Sequence, residues 1–137
     1  MKRPRAVAIH SLAQGRLALR VGVPVTLISG QGAGWYAGAG WWLAMMALLR
    51  RDQPPPFADI LDCADAPGAA MAGLRLGQRL IVLDFACPAL ARVAAAAATL
   101  GGEILTHRPS CLDLGDPAAE RGLADWLAGS DAGDSGR

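Results

Sequence analysis

The sequence repeats one pattern five times: a short run of β-branched or aliphatic residues, then a longer stretch rich in alanine and leucine. This alternation is typical of β-α-β units, whose crossover helices force neighbouring strands to pair in parallel. Runs that are apolar at nearly every position, such as residues 80–83, suit strands buried on both faces. The predicted strands are residues 5–9, 23–29, 58–62, 79–84 and 103–106.

Glycine and serine mark the ends of the predicted helices. Gly22, Gly77 and Gly101 each stand just before a strand, where a left-handed C-terminal cap favours glycine. Ser11 and Gln14 fit a capping box at the start of the first helix. The sequence therefore predicts a three-layer α/β/α fold with a five-stranded, mainly parallel sheet. We favour a flavodoxin-like strand order, with an incomplete β/α barrel as the alternative.

The length of 137 residues suits one domain. We expect this domain to span residues 1–128, followed by a flexible Gly/Asp/Ser-rich tail at residues 129–137. The hydrophobic content of 53% argues against disorder, and the net charge of +1 argues against a nucleic-acid surface.

The region from Val21 to Leu49 contains no charged residue, which raises the question of a membrane segment. Its glycines between residues 30 and 34 interrupt the apolar run, so we favour a buried strand, a turn and a buried helix. The apolar run after Arg5 is too short for a signal peptide. With three cysteines and no export signal, the sequence predicts a bacterial-type cytoplasmic protein.

A helix predicted over residues 34–49 is apolar on every face. It contains Trp35, Trp42 and Met45, and such a helix is either central in its domain or covered by another subunit. This pattern predicts a homo-oligomer that is held together by the helix.

Polar residues collect where the predicted strands end. In open parallel sheets, ligands bind beyond these carboxyl ends, so we expect a small-molecule site there, although helix capping alone would explain part of the pattern. The catalytic candidates are His10, Asp62 and Asp84, with Ser11 or Asp62 as a partner for His10. The ligand-binding candidates are Ser11, Ser29, Gly30, Gln31, Gly32, Asp65, His107 and Arg108.

The glycine-rich loop at residues 29–34 has two interpretations. Its backbone N–H groups could cradle an anion at the start of a helix, or its glycines could simply allow the helix to pack closely on the sheet. No Lys-Ser or Lys-Thr follows, so this is not a Walker loop. Trp35 and Tyr36 stand where a dinucleotide would pass, which argues against a nicotinamide site.

The cysteines at positions 63, 87 and 111 recur at one constant spacing, so we expect them at the same edge of the sheet. Cys87 precedes Pro88 at a predicted helix N-cap, which makes it the candidate reactive thiol; the alternative is that all three thiols are buried and inert. No close cysteine pair is present, so we expect no metal site.

The sequence supports two main functional hypotheses, besides a thiol-dependent activity centred on Cys87 or Cys63. The first is a small α/β protein that binds a small polar or anionic ligand at the strand ends, with hydrolase, lyase or transferase chemistry left open. The second is a non-catalytic interaction module that assembles through helix 34–49. No motif identifies a cofactor, and we expect neither a nucleic-acid partner nor a membrane partner.

Overall fold

A computed structural model describes residues 3–129, so nearly all of the predicted tail at 129–137 lies outside the described residues. The strands are β1 (Ala6–Ala8), β2 (Thr26–Ile28), β3 (Ala58–Asp62), β4 (Leu80–Val82), β5 (Glu103–Leu105) and β6 (Cys111–Asp113). The helices are α1 (Leu12–Arg20), α2 (Ala33–Tyr36), α3 (Ala39–Arg51), α4 (Pro67–Arg75), α5 (Leu90–Thr99) and α6 (Leu123–Ala128), with a 3₁₀ turn at Ala119–Gly122.

All pairs of neighbouring strands are parallel, and the sheet order is β5-β4-β3-β2-β1-β6. The predicted class, α/β with a parallel sheet flanked by helices, is confirmed, with six strands rather than five. The favoured flavodoxin-like order is not observed. Consecutive strands β1 to β5 are neighbours instead, which is the arrangement of the alternative, an incomplete β/α barrel.

The two faces of the sheet are covered differently. Alternate strand residues such as Val7, Leu27 and Ile81 join the buried side chains of the helices in one large apolar cluster. The intervening residues form a second cluster that consists entirely of strand residues, and its buried members are at most 4% exposed. These buried members are Ala6, Ala8, Ile28, Ile60 and Val82.

The length of the connection between β5 and β6 shows that the sheet is curled. These strands are the two edges of the sheet, five spacings apart, which is about 24 Å in a flat sheet. The connection at residues 106–110 reaches about 20 Å when fully extended. The two edges must therefore curve towards each other. This curvature explains why the second face of the sheet is buried, although its apolar cluster contains only strand residues.

The predicted helix at residues 34–49 is divided into α2 and α3. Gly38, with φ of 91°, separates them, because few residues other than glycine adopt this backbone conformation. Trp42, Met45 and Met46 of α3 are buried in the protein's own core, whereas Trp35 is 72% exposed. Among residues 3–129, none of the helices combines the length and the apolar character that crossing a bilayer requires.

The predicted cap at Ser11 is present. Its hydroxyl accepts a hydrogen bond from the N–H of Gln14 at 3.2 Å. The side chain of Gln14 reaches back one residue further than a capping box requires, and its Oε1 accepts the N–H of His10 at 2.7 Å. Gln14 therefore fixes the backbone of His10, directly after the first strand.

Candidate functional site

A cavity of about 140 Å³ lies at the carboxyl ends of β3, β4 and β5, the edge at which the sequence predicts a site. Six of its nine lining residues have polar side chains, and Phe85 is its one aromatic ring besides the imidazole of His107. Five predicted site residues line it, namely Gln31, Asp62, Asp84, His107 and Arg108, together with Ala64, Val82, Phe85 and Thr106.

Asp62 is the anchor of this edge. Its carboxylate is buried, and Oδ1 accepts the N–H groups of Gly32 at 3.2 Å and Ala64 at 2.7 Å. Oδ2 accepts Nη1 of Arg108 at 2.8 Å. Three donors therefore bind this one carboxylate, and its role in the described structure is to hold three segments together.

Asp84 and His107 both line the cavity, and each has a side-chain atom without a hydrogen-bond partner in the part of the chain that the structure describes. Oδ1 of Asp84 accepts the N–H of Ala86 at 2.8 Å, and Oδ2 has no protein partner among residues 3–129. Nδ1 of His107 lies 3.0 Å from the hydroxyl of Thr106, and its Nε2 is likewise unpartnered within the described residues. The ring of His107 stacks on Phe85 with centroids 5.0 Å apart. A ligand in the cavity would therefore meet a fixed carboxylate and a fixed imidazole.

The charges around the cavity favour a ligand that donates hydrogen bonds. Asp62 and Asp84 contribute two carboxylates, and Arg108 contributes one guanidinium that is already paired with Asp62. The charge of Asp84 is therefore the one left for a ligand, and it repels an anion.

The glycine-rich loop turns its polar groups inward. The N–H of Gly32 binds Asp62, and the buried hydroxyl of Ser29 donates to the carbonyl of Gly30 at 2.9 Å while accepting the N–H of Asp62 at 2.9 Å. A Cβ added to Gly34 would lie 2.5 Å from Sγ of Cys63. These contacts match the close-packing interpretation of the loop. The N–H of Gly32 is already hydrogen-bonded to the carboxylate of Asp62.

His10 lies outside the cavity lining and has a partner that the sequence did not suggest. Its Nε2 is 2.7 Å from Oδ1 of Asp113, which ends β6. Neither Ser11, which caps α1, nor Asp62 makes a hydrogen bond to the His10 ring. Asp113 was missed because β6, whose one aliphatic residue is Leu112, was not predicted as a strand. Asp65 is exposed and does not line the cavity.

The thiols do not form a reactive edge. Cys87 is 6% exposed, and the N-cap of α5 is Ala89, so the predicted capping position of Cys87 is wrong. Burial, and secondly the charge of Asp62, raise the pKa of Cys63 to about 12. Cys111 begins β6 and pairs with Ala6, so it lies at the amino ends of the strands. The expectation that all three cysteines share one edge is therefore also wrong. Residues 3–129 contain no cluster of three metal-ligating His, Cys, Asp or Glu side chains.

A second cavity, of about 600 Å³, lies at the opposite edge of the sheet. Asp59 at this edge accepts hydrogen bonds from Trp42 at 2.8 Å, Arg50 at 2.9 Å and Gln78 at 3.0 Å. This network is not apparent from the sequence, because Asp59 falls inside a predicted strand. The polar groups of this network bind one another. We therefore infer that the network holds α3 against the sheet.

Comparison with known proteins adds no assignment: no protein-family model matches the chain, and a search of curated proteins finds no relative.

Proposed function

We propose that the protein binds a small polar ligand at the carboxyl ends of its strands. The observation that carries the proposal is the 140 Å³ cavity, which is lined by Asp84 and His107, two residues that each have a side-chain atom without a partner among residues 3–129. Ligands of parallel α/β sheets commonly bind at this edge. The local charge favours a neutral or cationic ligand with hydrogen-bond donors over the anion that the sequence also allowed.

The size of the cavity limits the ligand. One water molecule occupies about 30 Å³ in the liquid, so the cavity fits a molecule of a few heavy atoms or the end group of a larger one. The stacked pair of Phe85 and His107 offers a flat surface to a planar group such as an amide. Small amides and amines are therefore the first compounds to test.

A thermal-shift screen with small amides, amines and alcohols tests the proposal. A compound that binds the folded protein raises the Tm of the wild type, by an amount that grows with the logarithm of its concentration above Kd. Asp84→Asn keeps an oxygen for the Ala86 N–H and removes the charge, so we expect the shift to disappear in this variant. Asp116→Asn is the matched control, because Oδ1 of Asp116 accepts the N–H of Ala118 at 3.0 Å in the same way outside the cavity. An equal shift in both variants would reject the cavity as the site.

Assembly through the apolar helical region is the second candidate function. Trp42, Met45 and Met46 are used in the core, but Trp35 and Tyr36 are 72% and 62% exposed. Exposed aromatic side chains are enriched at the centres of protein interfaces. A second copy of the chain that packed against these two rings would explain why they are exposed in the single chain.

Sedimentation velocity distinguishes the two candidates. If the exposed rings form an interface, the wild type sediments as a dimer or larger species, and Trp35→Ser shifts it to a monomer. A wild type that remains monomeric at high concentration excludes this function and leaves the ligand proposal untouched.

We also propose that the protein works in a reducing compartment such as a bacterial cytoplasm. Cys63, Cys87 and Cys111 are all free thiols in the structure. Free thiols persist where cellular reductants maintain them.

A further inference from the structure

A histidine and a carboxylate meet at the ends of the neighbouring strands β1 and β6. Asp113 pairs with Ala8 in the sheet, and His10 follows two residues after Ala8. Nε2 of the ring lies 2.7 Å from Oδ1 of the carboxylate, and 37% of the His10 side chain is exposed to solvent. The pair is therefore both ordered and accessible.

The carboxylate fixes the tautomer of the ring. Partial burial acts to raise the pKa of Asp113, but hydrogen bonds from the His10 ring and the Gly115 N–H outweigh it and lower the pKa below 3.8. Asp113 is thus ionised at neutral pH and only accepts hydrogen bonds. A neutral His10 must then carry its proton on Nε2, which leaves the lone pair on Nδ1.

Nδ1 of His10 lies near the hydroxyl of Tyr36. A Cβ added to Gly30 would lie 3.0 Å from Nδ1 of His10 and 2.9 Å from Oη of Tyr36, so these two atoms are no more than about 6 Å apart. Neither atom has a protein partner among residues 3–129. A small molecule bound beside Gly30 could contact both atoms.

Two glycines make room for this arrangement. A Cβ on Gly30 would approach Cε1 of His10 to 2.8 Å, and a Cβ on Gly115 would approach Nε2 to 2.9 Å. Neither glycine has a positive φ, so space around the imidazole, rather than backbone conformation, requires glycine at both positions.

We propose that His10 and Tyr36 are catalytic residues, positioned by Asp113, for the hydrolysis of small uncharged carboxylic esters. His10 Nδ1 takes a proton from a water molecule while the water oxygen bonds to the carbonyl carbon. The Tyr36 hydroxyl donates a hydrogen bond to the carbonyl oxygen as negative charge develops there. Asp113 stabilises the imidazolium that forms.

The second half of the reaction returns the proton. The bond between the carbonyl carbon and the alkoxy oxygen breaks, and the proton held on Nδ1 passes to the departing alkoxide. The products are a carboxylic acid and an alcohol, and His10 is again neutral. The water and the ester are the only reactants that this sequence of steps needs.

This proposal does not depend on the ligand cavity. Gly30 faces His10 and Tyr36, whereas the next residue, Gln31, lines the cavity, so the loop separates the two places. Variants of Asp84 test the cavity, and variants of His10 test the proposed hydrolysis.

Hydrolysis of p-nitrophenyl acetate is the test. We expect the wild type to exceed an equal concentration of free imidazole, and His10→Ala to lower kcat/KM by about 100-fold, the smaller end of the range for a general base. Tyr36→Phe should lower kcat with little change in KM. A normal solvent deuterium isotope effect on kcat is expected, because a proton moves in the rate-limiting step.

Asp113 requires a readout that a purely structural residue would not change. Asp113→Asn should lower kcat and leave KM unchanged, and Asp113→Ala should shift His10 away from the Nε2-protonated tautomer in a long-range ¹H–¹⁵N NMR spectrum. Asp52→Asn is the control, because Asp52 is a similarly exposed aspartate that binds Arg16 instead. Thermal melts verify that each variant is folded.

Two results would overturn the proposal. One is a wild type that hydrolyses the ester no faster than free imidazole. The other is a folded His10→Ala or Asp113→Asn variant that retains the wild-type rate.

Discussion

Nη1 of Arg108 lies 2.8 Å from the buried carboxylate of Asp62, although the two residues are 46 positions apart. Arg108 belongs to the connection between the edge strands β5 and β6, and Asp62 ends the third strand, inside the sheet. The ion pair therefore ties the connection to the middle of the curled sheet and closes one side of the ligand cavity.

Removal of this anchor should destabilise the fold. Asp62→Ala leaves Arg108 without its carboxylate and leaves the N–H groups of Gly32 and Ala64 without an acceptor, which we expect to cost about 3 kcal/mol of unfolding free energy. Urea denaturation measures the loss. Asp65→Ala, at an exposed site nearby, should change stability by less than about 0.5 kcal/mol. Equal effects of the two substitutions would show that the buried pair is not an anchor.

Gly34 should tolerate no larger side chain. A Cβ there would meet Sγ of Cys63 at 2.5 Å and the carbonyl oxygen of Asp62 at 3.3 Å, so Gly34→Ala should lose about 2 kcal/mol through overpacking. Gly40→Ala is the contrasting substitution, because Gly40 lies within α3 in open space and alanine favours helices by about 1 kcal/mol. Stabilisation by both alanines in chemical denaturation would refute the close packing of α2 on the sheet.

The thiols should react slowly with iodoacetamide at neutral pH. The pKa of Cys63 is raised to about 12 by burial and by Asp62, so almost none of it is thiolate, and Cys87 is shielded by burial. Mass spectrometry of labelled peptides should show labelling of both residues to be much slower in the folded protein than in urea. Rapid labelling of Cys87 in the folded state would restore it as a reactive thiol.

The carboxyl of Asp113 should titrate below pH 3.8. Its folded-state pKa is lowered, so the stabilisation it provides is present above the unfolded value of 3.8 and is lost as the pH falls through the folded value. Carbon-detected NMR of the side chain measures this titration. We expect the pKa to rise in His10→Ala and to stay unchanged in Asp52→Asn; a rise in neither variant would show that the ring does not stabilise the carboxylate.

Local sequence patterns were sufficient to predict most of the fold. The first five strands and the glycine caps at Gly22, Gly77 and Gly101 follow from apolar runs and from backbone conformation, which depend on neighbouring residues. The strand order could not be predicted in the same way. Flavodoxin-like and barrel-like arrangements use the same units, and the choice depends on which strands pair.

The site was partly predictable for the same reason. Asp84 and His107 each follow a predicted strand, so the sequence places both at the carboxyl edge of the sheet. In the structure both line the cavity. The partner of His10 depends on β6, whose three residues include a single Leu between Cys111 and Asp113 and carry no strand signal. Contacts between distant segments, such as that of Arg108 with Asp62, require the topology.

The most direct test of the proposed ligand site is an ¹H–¹⁵N NMR titration of the labelled protein with the best compound from the amide and amine screen. We predict saturable shifts that are concentrated on the backbone amides of Asp84, Thr106 and His107, and their loss in Asp84→Asn but not in Asp116→Asn. Saturable shifts centred on the opposite edge, around Gln78 and Gly102, or the absence of saturable shifts with every compound in the screen, would contradict the account.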